Sequence, residues 1–446
     1  MERTFKYVNH VIKEYNILIT CVFITLLNTI MSYGLSEGFS YTFIKFLMYL
    51  PLGIYFLVFM HRLYRKKDSN YKLFFKKYYL QILFLFIVIY CLFLFIYRFF
   101  TNLAYMEGLH YAIRLIGSIG IYYVVSQANP EKTTKNLILY AGILDIALIA
   151  DFSFNKTFRF THILSNVLVN CLIIVMLSFV CLHYIKKNRT HNSVYNVICG
   201  LHFFMLLFVV FLSGSRTMLV VGGIAILYIL ISIIFLCKNK TKFLSSLVAS
   251  SLAIIVLFSL NFGDTQFYVT KQLHSIMPSA FSSSDQSQSG TTGSDQSQSN
   301  TSNSVNLSEI KSLEKTSDHM RSVLKKQGLD EVNKNFIFGT GNVLFDYILG
   351  EKKIEQSAHN FIIETLVAFG AIGTLFLTIW IALLFINMIR NKRITLFNKV
   401  ILFLASISVA AFAYNQEILY NYITLPVLFA IIGLIESTGK HNIKDC

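Results

Sequence analysis

Apolar residues collect into long runs near 15–34, 41–61, 78–99, 109–126, 136–151, 163–185, 195–212, 217–237, 243–261, 360–389, 399–416 and 418–437. A run of about 20 residues at ~1.5 Å per residue covers a hydrocarbon core of ~30 Å, so each predicts one transmembrane helix. The pattern predicts an all-α polytopic membrane protein with about twelve such helices. The run at 136–151 is the shortest and 360–389 the longest. The latter must tilt, bend at Gly370 and Gly373, or protrude beyond the bilayer.

Polar positions divide the chain further. Residues 1–261 hold predicted helices one to nine, 262–358 form one large loop, 359–437 hold helices ten to twelve, and 438–446 are a tail. Within the loop, "SDQSQS" occurs at 284–289 and again at 294–299. With almost no apolar residues, 282–304 cannot offset the entropy of ordering and reads as a disordered Ser/Gln linker. Residues 307–350 read as a helical element lying over the membrane, with Ile310, Leu313, Met320, Val323 and Leu324 supplying apolar contacts. Ser317 is a candidate cap and Gly328 a candidate end of its second helical segment. "FGTGN", Phe338 to Asn342, predicts a turn.

Charge fixes the expected orientation. Twenty-four of the 39 lysines and arginines fall in seven segments, the N-terminus, alternate loops and the tail, whereas the intervening short loops hold three, Lys156, Arg159 and Arg216. Cytoplasmic segments accumulate Lys and Arg, so both termini are expected in the cytoplasm and the large loop on the outer face of a bacterial cytoplasmic (inner) membrane. The net charge of +16 is this bias spread over separate segments, which argues against nucleic-acid binding. Composition agrees with a membrane protein: 55% hydrophobic, 14% charged, mean hydropathy +0.58. The first apolar run is too long for a cleaved signal and reads as helix one. Six of the seven cysteines lie in or beside membrane runs, which suggests neither a disulfide framework nor a zinc site.

The candidate chemistry gathers at the expected outer mouth. Arg98 ends predicted helix three, Arg114 lies inside helix four, Arg159 is in an outer loop, Arg216 joins helices seven and eight, and Arg321 is in the large loop. Arginine at such depth is costly, by a few kcal/mol in order of magnitude, and marks a substrate path or a paired charge. An arginine-dominated set suits a phosphate or pyrophosphate held by forked donors. In "SGSRTM", Ser213 and Ser215 can satisfy free backbone groups beside Arg216, near a helix N-terminus. A snorkelling arginine at a tight turn is the plainer alternative. His359 and Asn360 stand directly before helix ten, where a helix N-terminus favours neutral imidazole and Asn360 can orient it or the substrate.

"SGSRT" at 213–217, the loop-borne Arg321, "FGTGN" at 338–342 and "AHNFIIETLVAFGAIGTLFL" at 358–377, in this order, resemble the O-antigen polymerase and ligase superfamily of bacterial envelope proteins. The resemblance implies a metal-independent, inverting glycosyltransferase without a cofactor. Its donor is a glycan on polyprenyl (undecaprenyl) pyrophosphate at the outer leaflet, with Arg216 and Arg321 on the pyrophosphate and His359 as catalytic histidine. The remaining arginines, Ser213, Ser215 and Asn360 are the expected substrate-binding residues. Expected partners are the lipid-linked oligosaccharide, the bilayer, and flippase and chain-length regulator proteins. A polymerase for capsule, exopolysaccharide or O-antigen is favoured by a composition rich in Lys, Ile, Asn, Phe and Tyr, which suggests an AT-rich bacterium. A ligase acting on a lipid or protein acceptor is the alternative. A flippase has a similar helix count, but a long loop interrupting only the C-terminal half fits poorly with the pseudo-symmetric halves of transporters.

Overall fold

Eleven of the twelve predicted runs are helices in the computed structural model. It describes residues 17–30, 39–65, 71–101, 105–155, 167–187, 193–212, 215–236, 307–349, 352–358, 360–414 and 423–441, and the ninth run, 243–261, lies outside these. The helices are α1 (Ile17–Ile30), α2 (Phe39–Arg65), α3 (Tyr71–Phe100), α4 (Tyr105–Val125), α5 (Pro130–Asn155), α6 (Val167–Lys187), α7 (Ser193–Leu212) and α8 (Arg216–Leu236). They continue with α9 (Leu307–Lys334), α10 (Phe361–Arg390), α11 (Leu396–Ala413) and α12 (Thr424–His441). Eight of the described helices are long and apolar enough to cross a membrane, and α1 and α7 are shorter apolar helices. The chain is a multi-pass helical membrane protein.

Helix boundaries follow local chemistry. α5 extends well before its apolar run because Asn129 caps it, its side-chain oxygen accepting from the Glu131 amide at 2.9 Å, and Pro130 occupies the first helical position. α3 kinks at Tyr78, where its apolar run begins. α6 is almost wholly buried and packs against α5, α7, α8, α11 and α12. α4 packs against α2 and α12. Gly120 brings α4 within 3.1 Å, by the position of an added Cβ, of the Phe56 amide nitrogen in α2, the close approach that small residues permit between membrane helices.

Two of the polar groups deepest in the bundle are paired, as a medium without water favours. The fully buried His202 of α7 meets Asp145 of α5 at 2.9 Å, and its other ring nitrogen faces the Ile174 carbonyl of α6 at 3.0 Å. The ring thus ties three helices through one buried polar contact at each nitrogen. Trp380 of α10, also fully buried, donates to the Leu80 carbonyl of α3 at 3.1 Å.

The described residues between α8 and α10 are built differently from the expected two-part helix. α9 is continuous through Ser317 and Gly328. Gly328 is a packing site, since a Cβ there would lie 2.6 Å from Ile363 and 3.0 Å from Ala358, so its missing side chain seats α9 on the start of α10. A helix continues through such a glycine when tertiary contact exceeds its roughly 1 kcal/mol propensity cost. After α9 a turn leads to an antiparallel hairpin, β1 (Phe345–Leu349) with β2 (Lys352–Gln356), which delivers the chain to α10.

Candidate functional site

The start of α10 is the centre of the candidate site. Asn360 is the N-cap, its side-chain oxygen accepting from the Ile362 and Ile363 amides at 3.1 and 3.2 Å. Its amide nitrogen reaches the Tyr414 carbonyl at the end of α11, at 3.5 Å. One residue type thus starts the helix and ties it to a neighbour. Ser357 and Glu364, both buried, flank the cap and share a 2.6 Å hydrogen bond. In the sequence Glu364 stands alone as an acid within an apolar run. Only the fold reveals that it belongs to this cluster, although its place in the first turn, where the helix dipole favours an anion, was a usable signal.

α9 lies over this start. Lys325 sits 5.1 Å from the centroid of the Tyr414 ring. Arg321 and Gly328 are seven residues apart, two helical turns, and therefore share the face of α9 that packs on Ala358 and Ile363. That geometry puts Arg321, half-buried, at the same end of the bundle as Asn360.

α10 is not one helix but two. At Gly370 the backbone takes φ 65° and ψ −178°, so a nine-residue half-helix, Phe361 to Phe369, precedes the long span. A break in apolar surroundings frees carbonyls and amides that must find partners. Here the turn predicted from "FGTGN" supplies them. The Gly341 amide donates to the Val367 carbonyl at 2.9 Å, and the Ala371 amide donates to the Phe336 carbonyl at 2.8 Å. Tyr90 donates to the Phe369 carbonyl at 2.9 Å. Arg98, 2% exposed, donates from Nη2 to the Ala368 carbonyl at 2.5 Å and to the Phe338 carbonyl at 3.0 Å. Gly339 and Gly341 also have positive φ, 67° and 82°. A side chain on Gly339 would strike the Val367 carbonyl, which explains why the turn needs glycine there.

Beneath Asn360 opens a cavity of about 390 Å³ between α4, α10, α11 and α12. Asn360, Phe361 and Tyr414 sit among its lining residues near the α9 end, and Leu377, Leu384 and Phe429 are among those that line the rest. Apart from Asn360, Ser406 and Tyr414, every residue lining it is apolar. Leu115 of α4 belongs to it as well. Its neighbour Arg114, 3% exposed, donates to the Tyr49 hydroxyl at 3.3 Å and lies 5.9 Å from the centroid of the Tyr111 ring.

The other predicted residues are placed as follows. Arg216 is the first residue of α8, and Ser215 caps that helix, its hydroxyl accepting from the Met218 amide at 3.3 Å. His359, Arg159 and Ser213 lie outside the described residues. Asn360 and the Arg98 clamp thus hold the two ends of one half-helix, and Arg321 stands two turns before Gly328 on α9. The cavity was not foreseen, because it arises where three C-terminal helices meet Leu115 of α4, far from them in sequence.

Comparison with protein families matches residues 201–378 to a family described as O-antigen ligase. The match runs from α7 to the middle of α10 and includes Arg216, Arg321, the glycine turn and the helix break. No curated protein matches the chain.

Proposed function

We propose, from the match of residues 201–378 to a family described as O-antigen ligase, that the chain is a polysaccharide polymerase of the O-antigen polymerase and ligase superfamily working on polyprenyl-pyrophosphate-linked repeat units. The family gives a glycosyltransferase-type activity on a lipid-linked sugar at a bilayer. The finer reading is ours. A sugar hydroxyl of one lipid-linked unit attacks the anomeric carbon of another, the bond from that carbon to the pyrophosphate oxygen breaks, and polyprenyl pyrophosphate leaves with the electron pair. The anomeric configuration inverts because attack and departure are in line.

The supporting observation is the cavity. A substrate with a branched hydrocarbon tail and a charged head needs an apolar groove that ends in polar groups at one level, and the space below Asn360 has that form. His359 adjoins Asn360 in sequence. As general base it takes the acceptor's proton, which matters because a sugar hydroxyl is a poor nucleophile near neutral pH. Arg216 and Arg321 neutralise the departing pyrophosphate, with Arg114 and Arg159 as further cations along the path and Ser213 and Ser215 beside Arg216. Pyrophosphate is already a good leaving group, so forked cations suffice and no metal is required in this scheme. The residues from 307 to 350 act as a lid, and the site faces the outer leaflet with both termini cytoplasmic.

Filling the groove tests the reading. Ala410→Trp places an indole among the lining residues. It should raise the half-saturating concentration of a long-chain polyprenyl donor at least tenfold while hardly affecting a donor with a one- or two-isoprene tail. Equal behaviour of the variant and the parent towards the long-chain donor would remove the tail from this groove. Transfer to a lipid or protein acceptor, with no elongation of lipid-linked repeats, would turn the assignment to a ligase.

A further inference from the structure

The break in α10 leaves the half-helix Phe361–Phe369 attached to the rest of the protein at two ends. Its N-terminus carries the cap at Asn360. Its C-terminus presents carbonyls, and the guanidinium of Arg98 meets the one on Ala368. The pairing is electrostatically apt, since a helix C-terminus carries partial negative charge and a cation there is stabilised. The same Nη2 holds the Phe338 carbonyl, so one group joins three pieces: α3, the glycine turn and the half-helix. Room for it is made by Gly108 of α4, where a Cβ would collide with Nη1 and lie 3.3 Å from Cζ.

We propose that Arg98 is a positioning residue, not a substrate ligand: it clamps the C-terminus of the half-helix and thereby sets the height and tilt of the N-terminus that follows His359. The inference rests on the reading of His359 as the base. A guanidinium 2% exposed, with one nitrogen shared between two backbone carbonyls, faces inward and acts through what it holds. Nine residues of helix are about 13 Å long, so a small change of tilt at Phe369 moves the other end by ångströms, enough to cost a displacement reaction its alignment.

The test uses the full-length protein in nanodiscs, with amide hydrogen exchange as one readout and steady-state elongation as the other. Arg98→Ala should raise exchange across 361–369 at least tenfold while 375–390 stays as in the parent. kcat should fall at least tenfold with the half-saturating donor concentration unchanged within twofold, and Arg98→Lys should recover part of kcat by serving one carbonyl. Gly108→Ala keeps the charge and only displaces the guanidinium, so it should reproduce both effects, and it carries the test if Arg98→Ala fails to fold. Parent-like protection of 361–369 in either variant would overturn the clamp. A raised donor requirement with kcat retained would make Arg98 a pyrophosphate ligand instead, and a loosened half-helix with full activity would end its positioning role. Should His359→Ala also elongate normally, the functional reading fails, and the exchange result still decides the clamp on its own.

Discussion

Gly370→Ala puts a methyl group at the one position where α10 reverses its backbone. The cost has two parts. A backbone at φ 65° and ψ −178° is a region essentially reserved for glycine, and costs alanine about 1–2 kcal/mol at the low end. The new Cβ would also collide with the Ile337 carbonyl and come within 2.5 Å of the Phe338 carbonyl carbon, both backbone atoms, so the turn must draw away. Three backbone bonds cross this contact, Gly341 to Val367, Ala371 to Phe336 and Ile372 to Ile337, at 2.9, 2.8 and 3.4 Å. Losing two of them adds about 2 kcal/mol at roughly 1 kcal/mol each. The sum, about 3–4 kcal/mol, corresponds to a factor on the order of 10² to 10³ in the local opening equilibrium. If alanine instead lets α10 continue as one straight helix, the same bonds are lost. Amide exchange at Gly341 and at Ala371 should therefore accelerate by that factor, with polymer formation abolished. Gly373→Ala is the control. Gly373 is helical without a positive φ, its added Cβ meets side-chain atoms, the Tyr90 ring at 2.6 Å and the Phe369 Cβ at 2.7 Å, and none of the glycine turn's backbone, while helix propensity returns up to about 1 kcal/mol. Protection at Ala371 within threefold of the parent in Gly370→Ala, or equal opening in both variants, would refute the argument from φ and backbone contact.

Three further outcomes follow from the proposed chemistry. Arg216→Ala should abolish polymer at normal membrane insertion, and Arg216→Lys should restore only part of it because an ammonium cannot fork onto two oxygens; a ladder assay on matched membranes checks both, and wild-type polymer from the alanine variant would remove Arg216 from the site. Elongation by purified protein should persist undiminished in EDTA, whereas loss that Mg²⁺ or Mn²⁺ restores would require a carboxylate-bound metal. Deleting 282–304 should leave activity nearly intact, since shortening a flexible loop alters closure entropy by about 1 kcal/mol or less, while deleting 317–328 removes Arg321 and the glycine seat on α10 and should be fatal.

The helices were legible in the sequence because a bilayer imposes one demand on every span, a long apolar run, and that demand is met residue by residue. Where boundaries differ, a short-range device decides them, as Asn129 and Pro130 do for α5. Gly328 was misread as an end because a glycine's meaning depends on what lies opposite, and Ile363 and Ala358 lie opposite it only in the fold. A bend of α10 at Gly370 and Gly373 was one of three ways, with tilt and protrusion, for its long apolar run to fit a bilayer. Only Gly370 has the positive φ, and Gly373 serves contact with Tyr90. Arg98 shows the same limit. Its depth marked it as a charge needing a partner, but a backbone carbonyl leaves no trace in sequence, so a substrate anion was the natural partner to assign.

The two glycine motifs, "FGTGN" and the Gly370 break, acquire one explanation when taken together. A transmembrane helix that must present its N-terminus to a polar substrate cannot do so as a single rigid rod, because its tilt is then set by packing along the whole span. Breaking it after nine residues frees the first half to be oriented locally, and the exposed carbonyls then demand donors. The turn and Arg98 supply them from elements that are themselves fixed, α9 by its seat on Ile363 and α3 by Trp380 of the long half. The clamp therefore closes a loop of contacts: each half of α10 is held by something the other half helps to hold. Loosening any member should be felt at Asn360, and so at its neighbour His359, before it is felt in the span below.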